Sequence, residues 1–235
     1  MKKMDSKIAL LSYNFPHKKT QDFILRVIAE GYKIDVIYAA DPVKLKIPAS
    51  TIKTKINHVG LVHPRKIAEN LGIDYIVIPH DSEALGEDIC ARQIDIGLIT
   101  GARILKEAVI NCFRMGVINF HPGVIPYARG LDALLWSIYW KHPIGVTAHL
   151  IDKRVDAGSL LEIRHININA SDTLLDLSER LYEIQLDMIA GAIKKTIAND
   201  TFLLDNYGQY NRKMTAELEA QIPQLLKSYL EDYGN

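Results

Sequence analysis

The sequence predicts an α/β fold with a mostly parallel, doubly wound sheet, an antiparallel edge region and a short, mainly helical C-terminal tail. Three observations predict this fold. Short runs rich in Ile, Val and Leu alternate with segments of helical periodicity over the first 140 residues. Two extended runs then follow each other without a helix between them, and from residue 171 onward the apolar spacing is helical. Such a sheet, with helices on both faces, is Rossmann-like.

The parallel part of the predicted sheet lies within residues 7–140. Its first helix is indicated by apolar residues three and four apart, at Phe23, Ile24, Val27 and Ile28. Residues 41–64 carry three prolines and no clear period, which predicts a loop. In chain order we expect strands at 7–12, 33–38, 74–78, 94–99 and 116–119, and helices at 20–30, 65–71, 82–92, 106–113 and 132–140.

The rest of the chain supplies the edge of the sheet and the tail. We expect paired strands at 143–151 and 158–168, a long helix capped by Ser171 or Asp172 and ending near 196, an irregular segment or hairpin at 202–211, and a final helix at 215–233. We expect Pro223 to complicate the middle of that last helix. The change in character near residue 170 predicts a main domain at 1–170 and a helical extension at 171–235.

Composition excludes several classes of protein. The 235 residues are 48% hydrophobic and carry 28 basic and 28 acidic side chains, so the net charge is zero. This balance disfavours a general binder of nucleic acid or of an anionic membrane. No stretch approaches the ~18 apolar residues of a membrane helix, and the run from Ile8 is too short for a signal peptide. Cys90 and Cys112 suit free thiols in a reducing cytoplasm, with no disulfide framework and no metal spacing.

Two phosphate-binding motifs are missing from the sequence. The first predicted strand continues into Ser-Tyr-Asn-Phe-Pro-His at 12–17, and no Gly-x-Gly-x-x-Gly follows it. A dinucleotide-binding dehydrogenase is therefore disfavoured in spite of the predicted sheet. A P-loop is also missing, so a phosphate-bearing ligand would not be held by a glycine-rich loop of the usual kind.

A cluster of polar residues follows the predicted strand at 116–119. Asn119 and His121 are two residues apart, so at an extended strand end their side chains point to one side, and Pro122 favours an extended backbone at His121. Asp156 lies in the turn between the two later strands. An amide, an imidazole and a carboxylate can together stabilise an oxyanion and move a proton. The alternative is that Asn119 caps a turn, His121 is a buried structural imidazole and Asp156 is an ordinary turn residue.

The stretch at 119–126, Asn-Phe-His-Pro-Gly-Val-Ile-Pro, resembles the Asn-x-His-Pro-x-x-Leu-Pro motif of the formyltransferases that use 10-formyltetrahydrofolate. The stretch at 145–158, from Gly-Val-Thr-Ala-His to Asp-Ala-Gly, resembles the folate loop and catalytic aspartate of the same family. The resemblance is good over about residues 70–165 and looser over the first strand. It implies that residues 1–170 form the catalytic domain, with Asn119, His121 and Asp156 as the catalytic residues and no metal.

The resemblance also implies where folate binds. Its pterin ring would lie against Arg103, Ile104 and Leu105, after the strand at 94–99, and against the loop at 152–156, which includes Asp152 and Val155. The alternative for Ile104 and Leu105 is packing at the start of the next helix. We expect His149 to be structural.

The acceptor amine is indicated by elimination within the family. Glycinamide ribonucleotide transformylases carry a Gly-Ser-Asn phosphate loop after the first strand, and methionyl-tRNA formyltransferases add a C-terminal β-barrel and a basic surface. Neither feature is expected here, because Tyr-Asn-Phe follows the first strand and the tail is short and helical. Residues 130–138 resemble the helix of sugar-nucleotide N-formyltransferases. The expected acceptor is a nucleotide-linked amino sugar, first a dTDP-4-amino-4,6-dideoxyhexose, of the kind used in O-antigen and lipopolysaccharide synthesis.

Contacts with the nucleotide sugar are less constrained by sequence. The candidates are Asn14, Lys18, His80 and Arg129 for the sugar or diphosphate, and Tyr207 or Tyr210 for stacking on the base. The alternative for each is a solvated charge, a packing contact or a contact in a homodimer.

Two further functions stay open. One is a formyltetrahydrofolate deformylase, which is disfavoured because its extra N-terminal domain has no counterpart before Lys7. The other is a binding module without chemistry.

Overall fold

A computed structural model describes residues 6–43, 49–56, 58–154, 156, 158–203, 206 and 208–235. The strands are β1 (Ile8–Tyr13), β2 (Val36–Ala40), β3 (Asp74–Val77), β4 (Ile96–Ile99), β5 (Gly116–His121), β6 (Arg129–Gly130), β7 (Gly145–Ile151), β8 (Gly158–His165), β9 (Phe202–Leu203) and β10 (Tyr210–Asn211). The helices are α1 (Lys18–Ala29), α2 (Pro64–Leu71), α3 (Glu83–Arg92), α4 (Glu107–Ile110), α5 (Ala133–Trp140), α6 (Leu174–Asp187), α7 (Ile189–Ile197), α8 (Ala216–Glu219) and α9 (Ile222–Tyr233).

The large sheet has the order β3-β2-β1-β4-β5-β7-β8-β9. Strands β1 to β5 pair in parallel, whereas β7, β8 and β9 continue the sheet in antiparallel pairs. The predicted α/β class, with its parallel sheet and antiparallel edge, is confirmed. Strands β6 and β10 form a separate parallel pair, which joins the loop after β5 to the tail.

Apolar side chains on the two faces of the sheet form two cores. On β1, Ile8 and Leu10 face one core and Ala9 and Leu11 face the other, and all four are at most 1% exposed. Burying a large aliphatic side chain contributes on the order of 2 kcal/mol. The alternation continues on β5: Ile118 and Phe120 enter the first core and Val117 the second. Because side chains alternate, Asn119 and His121 lie on the face of Val117, beyond the end of its core.

Strand β5 is longer than the sequence predicts. It continues to His121 because β7 pairs beside it, with Phe120 opposite Ala148 and His121 opposite Thr147. Pro122 has no backbone N–H and follows directly. The extension places Asn119 and His121 within the strand, where the sheet fixes their direction.

The helix predicted from residue 171 to 196 also differs in the structure. It is two helices, α6 and α7, separated at Met188. Its N-cap is Thr173, in a capping box with Asp176, rather than Ser171 or Asp172. Asp172 instead forms an ion pair with Arg180. The N-cap of α6 therefore lies one residue after Asp172 and two after Ser171, the two caps that the sequence predicts.

The two short strands of the tail do not pair with each other as a hairpin. Residues 202–203 and 210–211 are strands of different sheets, because β9 pairs with β8 and β10 with β6. Pro223 does not interrupt a helix: it lies in the first turn of α9, where a missing N–H costs nothing.

The apolar residues of α6 and α7 join the core that contains Ile118. The division at residue 170 remains a prediction. Within the described residues, none of the helices has the length and apolar character needed to cross a membrane.

Candidate active site

Asn119 and His121 project from the end of β5, where the parallel half of the sheet meets the antiparallel half. Their partners on β7 are His149 opposite Asn119 and Thr147 opposite His121. His121 is 4% exposed and His149 is buried completely. The site therefore rests on two paired strands, which hold side chains more rigidly than loops do.

Asp156 reaches the same point from the loop between β7 and β8. Its Oδ1 accepts a hydrogen bond from Asn119 Nδ2 at 3.3 Å and lies 3.5 Å from His121 Nδ1. Its Oδ2 accepts from the backbone N–H of Gly130 at 3.2 Å. The backbone of Asp156 is left-handed, with φ of 45°, a conformation that costs about 1 kcal/mol or more and persists when contacts fix it.

The second ring nitrogen of His121 faces a main-chain acceptor. Nε2 lies 2.6 Å from the carbonyl oxygen of Ala128, so both ring nitrogens face oxygens and an imidazolium can donate to each. Gly123 is required beside it, since a Cβ there would lie 2.8 Å from His121 Nε2 and 2.3 Å from the Ala128 oxygen. Thr147 Oγ1 donates to Gly123 O at 2.7 Å and fixes this turn.

The amide of Asn119 is held by His149. Asn119 Nδ2 lies 3.3 Å from His149 Nε2, so the buried imidazole and the Asp156 carboxylate together set the orientation of the amide. The sequence predicts a structural role for His149. The signal that links this residue to the site is the pattern Thr-x-His on β7, which lies opposite Asn-x-His on β5.

Lys19 is a residue near the site that the sequence analysis missed. Its Nζ donates to Gln185 Oε1 at 3.0 Å and to the carbonyl oxygen of Phe120, between Asn119 and His121, at 3.4 Å. Burial, and then the charge of Lys55, lower the pKa of Lys19 to about 8, against a smaller opposing effect of Asp156. No motif marks it, because it is one of two adjacent lysines at the start of α1.

The residues predicted to contact folate occupy two places. Arg103 Nη2 donates to Val43 O at 3.2 Å, and the neighbouring Ile104 side chain is 71% exposed. Leu105 is 5% exposed and packs in the second core, which corresponds to the alternative of helix-start packing. Val155 lies outside the described residues.

Asp152, the remaining predicted folate contact, is held by Arg154. Arg154 Nε donates to Asp152 Oδ2 at 2.9 Å, and its backbone N–H donates to Oδ1 at 2.8 Å. Burial raises the pKa of Asp152, but the bonds from Arg154 outweigh it and leave the pKa below its usual value.

A cavity of about 360 Å³ lies beside this ion pair, between the end of α4, the start of β5 and the β7–β8 turn. Asp152 and Arg154 line it together with the apolar Ile110, Phe113 and Ile151. Of the described residues that were predicted to contact folate, only Asp152 lines this cavity.

The predicted acceptor contacts are dispersed. Asn14 lies at the end of β1, donates to Asp41 at 2.6 Å and accepts from Tyr75 at 2.8 Å. Arg129 lies next to Gly130, with its guanidinium carbon 5.9 Å from the centre of the Tyr210 ring. Tyr207 lies outside the described residues.

The structure does not bring Lys18 and His80 to the site. Lys18 Nζ lies 3.3 Å above the Tyr182 ring and 3.5 Å from Asp22, on the side of α1 that faces α6. His80 is 2% exposed and its Nε2 lies 3.1 Å from the carbonyl oxygen of Tyr38, so it packs inside the protein. Over the residues that are described, no group of three or more His, Cys, Asp or Glu side chains is arranged to hold a metal ion.

Comparison with known proteins gives this geometry a family context. Residues 80–193 match the family model for formyl transferase. The methionyl-tRNA formyltransferase of Chlorobium limicola is 28% identical over 141 residues, which are 59% of this chain and 42% of that protein. The chain spans about two fifths of the length of the first three curated relatives that it matches.

Two solved structures share the fold. A sugar N-formyltransferase from Shewanella sp. has a TM-score of 0.63 at 20% identity and covers 93% of this chain and 88% of its own. The phosphoribosylglycinamide formyltransferase of Anaplasma phagocytophilum has a TM-score of 0.64 at 17% identity and covers 91% and 97%. Residues 80–193 thus match a formyl transferase domain, the family that the residues around Asn119 and Asp156 predict.

Proposed function

We propose that this protein is an N-formyltransferase that moves a formyl group from 10-formyltetrahydrofolate to the amino group of a nucleotide-linked sugar. The observation that carries the proposal is the convergence of Asn119, His121 and Asp156, whose polar atoms meet within 3.5 Å at the carboxyl end of β5. An amide, an imidazole and a carboxylate are the groups that amine attack on a carbonyl requires, and no nucleophilic side chain is needed.

The first task of the site is to stabilise negative charge. When an amine attacks the formyl carbon, the carbonyl oxygen becomes an oxyanion. Asn119 Nδ2 and a protonated His121 Nδ1 both lie within 3.5 Å of Asp156 Oδ1, so an oxyanion bound beside this carboxylate is within reach of both donors, and each such donor contributes on the order of 3 kcal/mol to the transition state. The bonds to His149 and Ala128 keep the two donors oriented before the substrate arrives.

The second task is to remove a proton from the attacking amine. Asp156 is the nearest carboxylate to both donors, and Gly130 holds it through Oδ2, which leaves Oδ1 directed at the reacting atoms. A carboxylate in this position accepts the amine proton, directly or through one water. The same carboxylate stabilises the charged form of His121 while the oxyanion is present.

The formyl group is supplied by the folate cosubstrate. Two of the residues proposed to bind it have suitable chemistry: Ile104 offers an exposed apolar side chain, and Asp152 offers a carboxylate that accepts N–H donors, as it does from Arg154. Bound folate would exclude water from the reacting carbonyl group and strengthen both hydrogen bonds to its oxygen.

The acceptor is proposed to be a dTDP-linked 4-amino-4,6-dideoxyhexose. Support comes from the likeness in fold to the Shewanella sugar N-formyltransferase and from the segment after β1. Tyr13 and Phe15 stack there with ring centres 5.0 Å apart and planes 8° apart, in place of a glycine-rich phosphate loop. The phosphoribosylglycinamide formyltransferase shares the fold equally, so the amine of glycinamide ribonucleotide is the second candidate.

One assay tests the reaction and the acceptor together. The protein is incubated with 10-formyltetrahydrofolate and one amine at a time: a dTDP-4-amino sugar, a UDP-amino sugar, glycinamide ribonucleotide, or none. Release of tetrahydrofolate and the mass of the formylated product are followed, with His121→Asn as the control. We expect release that depends on the dTDP-amino sugar. Equal release without any amine would indicate a deformylase, and no release with any amine would overturn the proposal. The cytoplasmic location and a homodimer remain predictions.

A further inference from the structure

The tail segment at 208–219 contacts the loop that follows the catalytic strand. In the β6–β10 pair, Asn211 lies opposite Gly130, and Leu131 N donates to Asn211 O at 2.9 Å. The N–H of Gly130 is also the group that binds Asp156. A single residue therefore separates the tail from the catalytic carboxylate.

Close approach of the two backbones requires glycine at position 130. Its φ is 99°, and a Cβ would lie 2.2 Å from Asn211 O. The position of the Gly130 amide is consequently set by where the tail lies. Any movement of β10 displaces the donor that holds Asp156 Oδ2.

A second set of contacts fixes β10 two residues farther along the loop. Asp132 Oδ2 accepts from the backbone N–H of Met214 at 2.9 Å and from Lys213 Nζ at 3.3 Å. Asp132 has a left-handed backbone, with φ of 51°, at the start of α5. Contacts from the tail thus hold a strained residue in place.

Lys213 connects Asp132 to a buried carboxylate. Its Nζ also donates to Glu219 Oε1 at 3.3 Å, and Glu219 is 1% exposed. Glu219 Oε2 accepts from the backbone N–H and the hydroxyl of Thr51, each at 2.6 Å, and Oε1 accepts from Ser50 at 2.7 Å. The Lys213 ammonium therefore joins three separate segments of the chain: the loop after β2, the loop after β5 and the tail.

The protonation states suit this bridge. Burial raises the pKa of Glu219, but the bonds from Thr51, Ser50 and Lys213 outweigh it and hold the pKa at about 2. Burial lowers the pKa of Lys213, and the charges and bonds of Asp132 and Glu219 reverse this, so that its pKa is raised overall. At neutral pH the bridge is one cation between two anions.

We propose that Lys213 is a positioning residue for formyl transfer: it holds β10 on β6 and thereby keeps the Gly130 N–H on Asp156. The proposal rests on the proposed function, because it assumes that Asp156 takes part in the reaction. Lys213 acts on Asp156 through Gly130, so its loss would slow the chemical step more than it weakens the binding of folate.

The kinetic test compares three variants. Lys213→Met removes the charge and keeps most of the stem, Lys213→Arg keeps the charge, and Lys227→Met removes an exposed lysine of α9 as the matched control. We expect Lys213→Met to lower kcat at least about tenfold with the KM for folate changed less than about twofold, because small displacements of catalytic groups reduce rate strongly. Lys213→Arg should restore most of kcat, and Lys227→Met should match the unchanged protein.

A spectroscopic measurement separates this inference from the proposed function. Labelling glycine with ¹⁵N gives 14 amide signals at most, and Lys213→Met should shift the Gly130 signal, while Lys227→Met leaves it in place. If Lys213→Met folds poorly, Lys213→Met with Glu219→Gln removes both charges and takes its place. Absence of turnover in the unchanged protein with every amine overturns the proposed function alone. Unchanged kcat in Lys213→Met, or an unmoved Gly130 signal, overturns the positioning role.

Discussion

The Asp156 carboxylate faces the His121 imidazole, with Oδ1 3.5 Å from Nδ1, and a main-chain N–H from Gly130 holds its other oxygen. The contact joins a turn between two antiparallel strands to the end of a parallel strand. The left-handed backbone of Asp156 is the local cost of that reach. The groups that hold the Asp156 carboxylate and the His121 imidazole in this contact can each be tested by substitution.

Replacing either side chain of this pair should abolish most activity. We expect His121→Asn and Asp156→Asn to lower turnover at least ~100-fold, because each removes a group that contacts the reacting atoms. The measurement is kcat in the formyl-transfer assay, with Asp200→Asn as an exposed control and circular dichroism as a check on folding. Near-normal turnover in both variants would remove the catalytic assignment.

His149 should affect rate through Asn119. The variant His149→Ala removes the imidazole that lies 3.3 Å from Asn119 Nδ2, so the amide loses one of its two fixed partners. We expect kcat to fall about tenfold, as for a misoriented catalytic group. The control is His165→Ala, at the exposed end of β8. If both histidine variants retain full kcat, the orientation of Asn119 does not depend on His149.

Gly158 should be sensitive to a single methyl group. Its φ is 111°, and a Cβ would lie 2.0 Å from Leu150 O, so Gly158→Ala must move the loop that carries Asp156. We expect a loss of unfolding free energy of at least about 2 kcal/mol, measured by urea denaturation. Gly191→Ala is the matched control, because its Cβ meets nothing closer than 3.5 Å and lies in α7. That variant should be neutral or stabilised by up to about 1 kcal/mol. Equal effects at the two positions would contradict the prediction.

Lys19 should give the protein a pH-dependent stability above pH 8. Its pKa is about 8 in the folded protein against 10.5 ordinarily. Between these values the unfolded chain binds a proton that the folded protein does not, so the free energy of unfolding rises with pH in this window. The difference in that free energy between the unchanged protein and Lys19→Met should grow from pH 8 to about 10.5. A difference that stays constant over this range would show that the pKa of Lys19 is not lowered.

The alternating strands and helices of the parallel sheet could be predicted because the patterns that indicate them involve residues close together in sequence. Short apolar runs indicated the strands of the parallel sheet, and helical spacing indicated the helices beside them. Features that depend on distant partners could not be predicted in the same way. Strand β5 gains Phe120 and His121 from pairing with β7, and the two-residue strands β9 and β10 exist only through their separate partners.

The same distinction applies to the candidate site. Asn119 and His121 could be proposed as a pair because a strand places alternate side chains on one face. Lys19 could not, since its partner Gln185 lies 166 residues away. Nothing in the sequence distinguishes Lys19 from Lys18. Adjacent residues of a helix point about 100° apart, so only one of the two can face the site, and Lys18 faces Tyr182.

The joining of β6 to β10 by main-chain bonds has a consequence for how such a protein can diverge. Backbone groups are the same in every residue, so the join restricts the path of the tail and leaves most of its side chains unrestricted. Gly130 and Gly208 are fixed by shape, because a Cβ would lie 2.2 Å from Asn211 O and 1.9 Å from Pro126 O, and Lys213 is fixed by its contacts with Asp132 and Glu219. Exposed positions of the tail other than these can therefore accumulate substitutions over evolutionary time, while the main-chain bonds to β6 are inherited unchanged.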